Sequence, residues 1–372
     1  MKKQILSYLS LGQICDVQSG GTPSRHINAY WEKGNIPWVK ISDIKGKHLL
    51  GTDEYITRQG LENSSAKIFP KGTILYTIFA TLGETTILNI DAATNQAIAG
   101  INIHDQYKKI ILTDYLYYYL LSIKDIMCKV GRGVAQNNLN LKILRNVQVP
   151  VPTIEEQKKI IDTLSSIEKI MLVKDRQLSL LSNLVKSRFI EMFGDPIINS
   201  LKLPCKTLST LCDLKAGIFT SASQIHEFQS AENPYPCYGG NGIRGFVDNY
   251  TQEGKFPIIG RQGALCGNVQ LASGKFRNTE HAVIVKPKVN LNVIWLYEAL
   301  ILENLNRLHT GAAQPGLAVN TLNQINIPVP SIIEQDKYEH LFIQLDKSKM
   351  AIQKSLDELE TLKKSLMQTY FG

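Results

Sequence analysis

The 372-residue sequence contains no apolar run near the roughly 18 residues that a membrane span requires. Met1-Lys2-Lys3 leads into a short apolar patch ending by Leu11 with no small-residue cleavage site behind it, so a cytoplasmic protein is expected. Cysteine is sparse. Cys15, Cys128, Cys205, Cys212, Cys237 and Cys266 show no two-residue spacing and no histidine pair at zinc-ligand spacing, which leaves reduced, partly buried thiols as the simplest reading.

Catalytic signatures are missing as well. No GxxxxGK[ST] occurs, so a P-loop ATPase is unsupported, and none of the seven scattered histidines begins HExxH. No Ser, Cys or Asp has a recognisable nucleophile setting. Gly240 to Gly245 spells GxGxxG, but the preceding Tyr235-Pro236-Cys237-Tyr238 reads as a poor core strand and the following Phe246-Val247 as strand, the wrong context for a dinucleotide. Asn233-Pro234-Tyr235 lacks the second proline of the Asn-Pro-Pro-Tyr element of amino-methyltransferases, and no glycine motif for S-adenosylmethionine accompanies it. A non-catalytic chain is expected.

What is present is an ordinary globular composition, 44% hydrophobic, at a length suited to two or three domains. The net charge of +8 favours a polyanionic partner, and the excess is regional: residues 1–150 hold 17 Lys/Arg against 11 Asp/Glu, residues 332–372 hold 6 against 7.

The chain also repeats itself. At an offset of 178, Ala135-Gln136 falls on Ala313-Gln314, Val149-Pro150-Val151-Pro152 on Ile327-Pro328-Val329-Pro330, Glu156-Gln157 on Glu334-Gln335, and Phe193-Gly194 on Phe371-Gly372. Upstream the offset drifts, as unequal loops on one scaffold would make it. Cys15-Asp16 and Gly20 match Cys212-Asp213 and Gly217 at 197, Leu82-Gly83 matches Cys266-Gly267 at 184, and Thr94 to Ile98 matches Thr279 to Val283 at 185.

The repeated tails read as long helices. Ile160, Leu164, Ile167, Met171, Lys174, Leu178, Leu181, Val185 and Arg188 step by four and three, as do Tyr338, Phe342, Leu345, Lys349, Ile352, Leu356, Leu359, Lys363 and Leu366. Lys174, Arg188, Lys349 and Lys363 interrupt these coiled-coil seams, either by snorkelling, the favoured reading, or by fixing the register of the pair. Thr153 and Ser331 suit an N-cap, with Glu156 and Glu334 three residues on to complete a capping box. Residues 154–190 make about 37 residues of helix, roughly 55 Å. Two such helices pack most economically antiparallel, with one globular unit at each end under an approximate twofold axis.

Residues 1–152 and 201–330 read as mixed α/β, with strands expected at 73–79, 85–89, 98–103, 256–260, 268–272 and 282–285, and helices at 113–129 and 292–308.

With these residues in place, the chain resembles the DNA specificity subunit of Type I restriction-modification systems. The resemblance rests on two variable units, each followed by a Pro-x-Pro-led segment and a helix ending in Phe-Gly. Phrases inside the units agree: Gly20-Gly21-Thr22-Pro23-Ser24, Ile36-Pro37-Trp38-Val39, Ser42-Asp43-Ile44, Thr94-Asn95-Gln96-Ala97-Ile98, Tyr238-Gly239-Gly240-Asn241-Gly242 and Gly260-Arg261-Gln262-Gly263. The second unit lacks the Gly-Gly-Thr-Pro and Ile-Pro-Trp phrases, which implies two different half-site specificities.

The resemblance implies an α+β fold of two α/β target-recognition domains, 1–152 and 201–330, separated by two long antiparallel coiled-coil spacer helices in 153–200 and 331–372. It implies a bipartite asymmetric site on double-stranded DNA. The partners would be two methyltransferase subunits and, through them, restriction/motor subunits, with S-adenosylmethionine, ATP and Mg in those partners and no cofactor in this chain. Two other readings stay open, the recognition subunit of a fused Type IIB-like enzyme and a coiled-coil protein-assembly factor.

Phosphate contacts need Lys, Arg or backbone amides, and base reading needs Arg or Lys for guanine and Asn or Gln for adenine on accessible loops. On that basis Thr22, Ser24, Arg25, Lys40, Ser42, Lys45, Thr77 and Thr81 are candidates in the first unit. Tyr238, Asn241, Arg244, Arg261, Gln262, Asn268 and Arg277 are candidates in the second. Asn95-Gln96 is read as tying strands together.

Overall fold

The computed structural model describes residues 5–132, 139–263, 265–311 and 315–372; Met1 to Lys3 and the matched pairs Ala135-Gln136 and Ala313-Gln314 lie outside them. The α+β chain divides into two compact units, one formed by Met1–Val173 with Leu356–Gly372, the other by Lys174–Ser355. Each combines a strand-rich globular body with segments of two 40-residue helices, Ile154–Phe193 and Ile332–Phe371, each about 60 Å long. The first helix runs three residues past the expected end at 190, because Phe193 still has a core to enter, and stops at Gly194 with φ +76°.

In the first unit one sheet carries strands 15–19, 98–103, 74–77, 85–88 and 48–49 in that order, and a second carries 55–56, 36–39, 92–94 and 68–69. Ile74–Thr77 and Thr85–Leu88 are buried throughout, which suits their β-branched composition. The expected helix over 113–129 breaks at Ile123 into Thr113–Ser122 and Lys124–Arg132. In the second unit a six-stranded sheet runs 212–216, 282–287, 252–260, 269–278, 235–239 and 242–247. Its helix Val293–Leu302 ends well short of 308, where Asn304 turns the chain through a left-handed conformation into a 3-10 turn.

Strand register corrects two expectations. Cys15 pairs with Ile103 and Cys212 with Pro287, so the offset there is 184, not 185, and Thr94 corresponds to Asn278. The strand Val269–Asn278 is then one continuous element where the first unit has two, 85–88 and 92–94, and the break between those two gives the first unit its second sheet. Trp38 pairs in parallel with Ala93, as Cys237 does with Arg277. Tyr235-Pro236-Cys237-Tyr238 is therefore a strand and occupies the place of Ile36-Pro37-Trp38-Val39. It reads poorly because only Cys237 and Tyr238 of its four residues are buried.

The start of each helix is tied to its globular body by a buried glutamine. Gln157, 0% exposed, accepts a hydrogen bond from the Leu112 N–H (2.9 Å) and donates to the carbonyls of Ile110 (2.7 Å) and Pro152 (3.0 Å). Gln335 accepts from the Asn292 N–H (2.9 Å) and donates to the Pro330 carbonyl (3.0 Å). The preceding strands are paired too, Gln148–Pro152 with Ile5–Ser10 and Asn326–Pro328 with Cys205–Thr207. Thr153 and Ser331 act as N-caps, accepting from the Glu156 and Glu334 N–H groups.

The seams hold with one shift. Ile160, Leu164, Ile167, Val185, Tyr338 and Leu356 are buried, but Arg188 is exposed and pairs with Glu191 at 2.6 Å. Phe189 and Phe193 take the inner face instead, their rings 5.3 and 5.6 Å from Tyr338. Lys363 meets Glu168 of the neighbouring helix at 2.8 Å within the first unit, which is the register-fixing role rather than snorkelling. In the second unit Glu298 is 5% exposed, and burial pushes its carboxyl up to about 7 despite Lys349 and Lys186.

Two outcomes follow. Gln157→Leu removes the side-chain partner of the Leu112 N–H and the Ile110 carbonyl, both bonds half-buried, and lowers stability by about 1–3 kcal/mol in denaturant unfolding. The raised Glu298 titration means that its contribution is full below its ordinary 4.5 and disappears as pH rises through about 7. Glu298→Gln therefore stabilises the protein at pH 8 by on the order of 3 kcal/mol, read as a higher calorimetric Tm, and leaves the Tm unchanged at pH 4.

Candidate nucleic-acid interface

In the first unit the Gly20-Gly21 turn is pinned by hydrogen bonds from the Gly20 N–H to the Ile98 carbonyl (3.1 Å) and from the Gly21 N–H to the Thr94 carbonyl (2.9 Å). A Cβ at Gly20 would collide with the Thr94 side chain and carbonyl, so only glycine permits this approach. The pinning sets the following loop on a fixed base. Thr22 donates its hydroxyl to Gln96 Oε1, and the Ser24 carbonyl accepts from the Trp31 indole N–H (3.0 Å). Gln96 thus ties its turn to this loop, whereas Asn95 accepts from the Ala97 N–H within the turn, so the pair joins a turn to a loop rather than two strands.

Arg25 lies over the Trp31 ring at 3.6 Å and beside Trp38 at 4.8 Å, with a 2.6 Å ion pair to Glu54. Lys40 reaches the same carboxylate at 2.7 Å. The hydrogen bond from Lys40, reinforced by Arg25, holds the Glu54 carboxyl below its ordinary range. Arg25 and Lys40 are thus brought together and shared by one anion. Ser42 and Lys45 lie exposed on and just after the short 3-10 turn Ile41–Asp43 that follows Lys40.

Thr77 departs from the expectation of an accessible group. It is 0% exposed, and its hydroxyl donates to the Thr81 carbonyl and accepts from the Glu84 N–H (2.8 Å), because its strand is buried on both faces. Thr81 itself is exposed at the tip of that turn.

In the second unit Gly239 and Gly242 close a hairpin around Gly240-Asn241, with Gly242 at φ +96°. Asn241 accepts from the Asn268 amide at 3.0 Å. The Arg261 N–H donates to the His281 carbonyl (3.0 Å), its own carbonyl accepts from the Leu317 N–H (2.8 Å), and its Nε is buried without a partner. Gln262 and Arg244 are exposed. Arg277 donates to the Thr220 hydroxyl (3.0 Å) and to Asn249 Oδ1. Tyr238 is the second departure: its ring packs on Phe276 at 5.5 Å in a small core, as befits the counterpart of Val39.

Sequence reasoning missed Trp31 and Glu54, which organise Arg25. It also passed over Ile218 and Phe219, exposed apolar residues that the 197 offset places on Gly21 and Thr22. Among the described residues no cluster of three His, Cys, Asp or Glu side chains could hold a metal ion, and no helix is long and apolar enough to cross a membrane.

The sequence profile of the Type I restriction modification DNA specificity domain matches this chain twice, over residues 7–181 and 206–363. The EcoprrI specificity subunit of Escherichia coli, a Type I restriction enzyme component, is 30% identical over 89% of this chain and 85% of its own length. The MjaIX specificity subunit of Methanocaldococcus jannaschii is 30% identical over 49% of this chain and 42% of its own. Among solved structures, the Type I restriction-modification S subunit from M. genitalium superposes with a TM-score of 0.62 at 16% identity, covering 98% of this chain and 96% of that one. A chain from work on complex assembly of the type I R-M system gives 0.60 at 17% identity, covering 98% and 97%.

The Arg25–Glu54 contact survives only while Glu54 is ionised, so it is lost as pH falls through a midpoint below the ordinary carboxylate value. In a Trp295→Phe background, an acid titration of tryptophan fluorescence shows a step below pH 4.5, and Glu54→Gln removes that step.

Proposed function

From the premise that the chain belongs to the family of Type I restriction modification DNA specificity subunits, we propose that it reads a bipartite, asymmetric site on double-stranded DNA. Residues 1–152 and 201–330 are the two target-recognition domains, each taking one half-site. Residues 153–200 and 331–372 carry the helices on which two methyltransferase subunits assemble, and through them the restriction/motor subunits. The chain does no chemistry itself. S-adenosylmethionine, ATP and Mg belong to its partners, and the complex works on DNA in the cytoplasm.

The observation that carries this reading is a shared frame with unlike rims. The pinned Gly20 and Gly217 turns and the strand pairs around them coincide residue by residue. The rims that they present differ: Thr22, Ser24, Arg25, Lys40, Ser42, Lys45 and Thr81 in one unit; Asn241, Arg244, Arg261, Gln262, Asn268 and Arg277 in the other. Cations and hydroxyls suit phosphate oxygens and guanine, and amides suit adenine. Thr77 and Tyr238 drop out of the reading set because they are buried.

Co-expression with the cognate methyltransferase subunit, followed by mapping of methylated adenines in host DNA, is expected to give one gapped two-part motif. Modification unrelated to any gapped motif overturns the proposal. The assembled complex is further expected to lose DNA affinity steeply with salt, about one unit of log–log slope per phosphate contacted.

A further inference from the structure

The turn of the second unit that matches Gly20-Gly21-Thr22 is Gly217-Ile218-Phe219. The Gly217 N–H donates to the Ala282 carbonyl and the Ile218 N–H to the Asn278 carbonyl, both at 3.1 Å. A Cβ at Gly217 would collide with the Asn278 carbonyl, so the backbone is held close against the sheet. One residue further on, Thr220 is 4% exposed, donates to the Ile218 carbonyl (3.0 Å) and accepts from Arg277 Nε (3.0 Å). Phe219 therefore sits between two anchored neighbours, yet its side chain is 71% exposed, and Ile218 is 56% exposed.

Water is a poor environment for a phenyl ring held out on an ordered loop, since burying such a side chain is worth about 2–3 kcal/mol. The bonds on both sides hold the backbone that carries the ring in place. In the first unit the same position is Thr22, a small polar residue tied to Gln96. An apolar projection is thus a property of the second rim alone. Arg277, which braces the loop through Thr220, brings positive charge to it, as a polyanionic partner requires.

Apolar side chains find one sequence-specific feature in the major groove, the 5-methyl group of thymine. The same unit carries amides among its candidate residues, Asn241 on the glycine hairpin with Asn268 bonded to it (3.0 Å) and the exposed Gln262, and amides pair with adenine, the base opposite thymine. Resting on the DNA-reading function proposed above, we propose that Phe219, with Ile218 beside it, reads a thymine methyl, so that the half-site taken by the second unit contains an A·T pair selected through its methyl group.

The test uses the complex of this chain with its methyltransferase subunits and a duplex bearing its methylated motif. Each thymine is replaced in turn by deoxyuridine, which removes only the methyl. One replacement in the second unit's half-site is expected to weaken wild-type binding about fourfold, the worth of one buried methyl group. Phe219→Ala is expected to bind the thymine duplex about as weakly and to be indifferent to that replacement, while replacements in the other half-site affect both proteins equally. Ile218→Ala is expected to show a smaller loss at the same position.

The inference is overturned if no deoxyuridine replacement distinguishes wild type from Phe219→Ala. It is also overturned if Phe219→Ala abolishes unstacking of a 2-aminopurine reporter while the methyl is immaterial, since that would make the ring a wedge between base steps. Failure of the underlying function looks different: the wild-type complex itself then binds all duplexes alike.

Discussion

Gln157 and Gln335 sit where a long helix leaves a globular body, and each ties the two together through backbone groups on both sides of the joint. An amide is the one uncharged side chain that offers an acceptor and two donors together. At Gln157, itself fully buried, the acceptor takes the Leu112 N–H and the amide nitrogen bridges two carbonyls. Hydrogen bonds among buried groups are directional, so they fix the helix against its globular unit at a set angle, whereas the apolar seam alone would allow it to slide. The Pro-x-Pro strand just before, paired with the strand that opens each unit, closes the same joint from the other side.

On that fixed base the two units vary in a limited way. The Gly20 and Gly217 turns, the outer strand pairs and the parallel pairing of Trp38 or Cys237 are held in common. The differences lie in what spans between them: a strand broken at 89–91 or unbroken through 269–278, a 3-10 turn at Ile41–Asp43 or a glycine hairpin at 239–242. Charge follows the same division, with Arg25 and Lys40 gathered on Glu54 in one rim and amides gathered at the hairpin in the other.

Much of this was legible in the chain because duplication compares a sequence with itself. The heptad positions, the Pro-x-Pro strands and the Phe-Gly exits appear at constant offset, and the helices formed there. The loop-bearing regions were read less well for definite reasons. Tyr235-Pro236-Cys237-Tyr238 has only two buried positions, too few to show as a strand, and its kinship with Ile36 to Val39 resides in register rather than in residue type. Arg188 was assigned to the seam because a step of three fits the heptad, but Phe189 gains more by entering the core. Thr77 resembled a loop hydroxyl, although the β-branched run around it places it inside. The exposure of Phe219 depends on hydrogen bonds to backbone atoms some sixty residues away, which no local pattern encodes.

The atoms gripped by the glutamine joint in the first unit all belong to the main chain: an amide hydrogen and two carbonyl oxygens. Such a socket is blind to side-chain identity. A globular unit of different sequence can meet this part of the joint provided that its backbone passes through the same three points, while the bond of the Tyr118 hydroxyl to Glu168 and the core that Tyr115 and Leu116 share with Ile160 and Leu164 still match side chains to the helix.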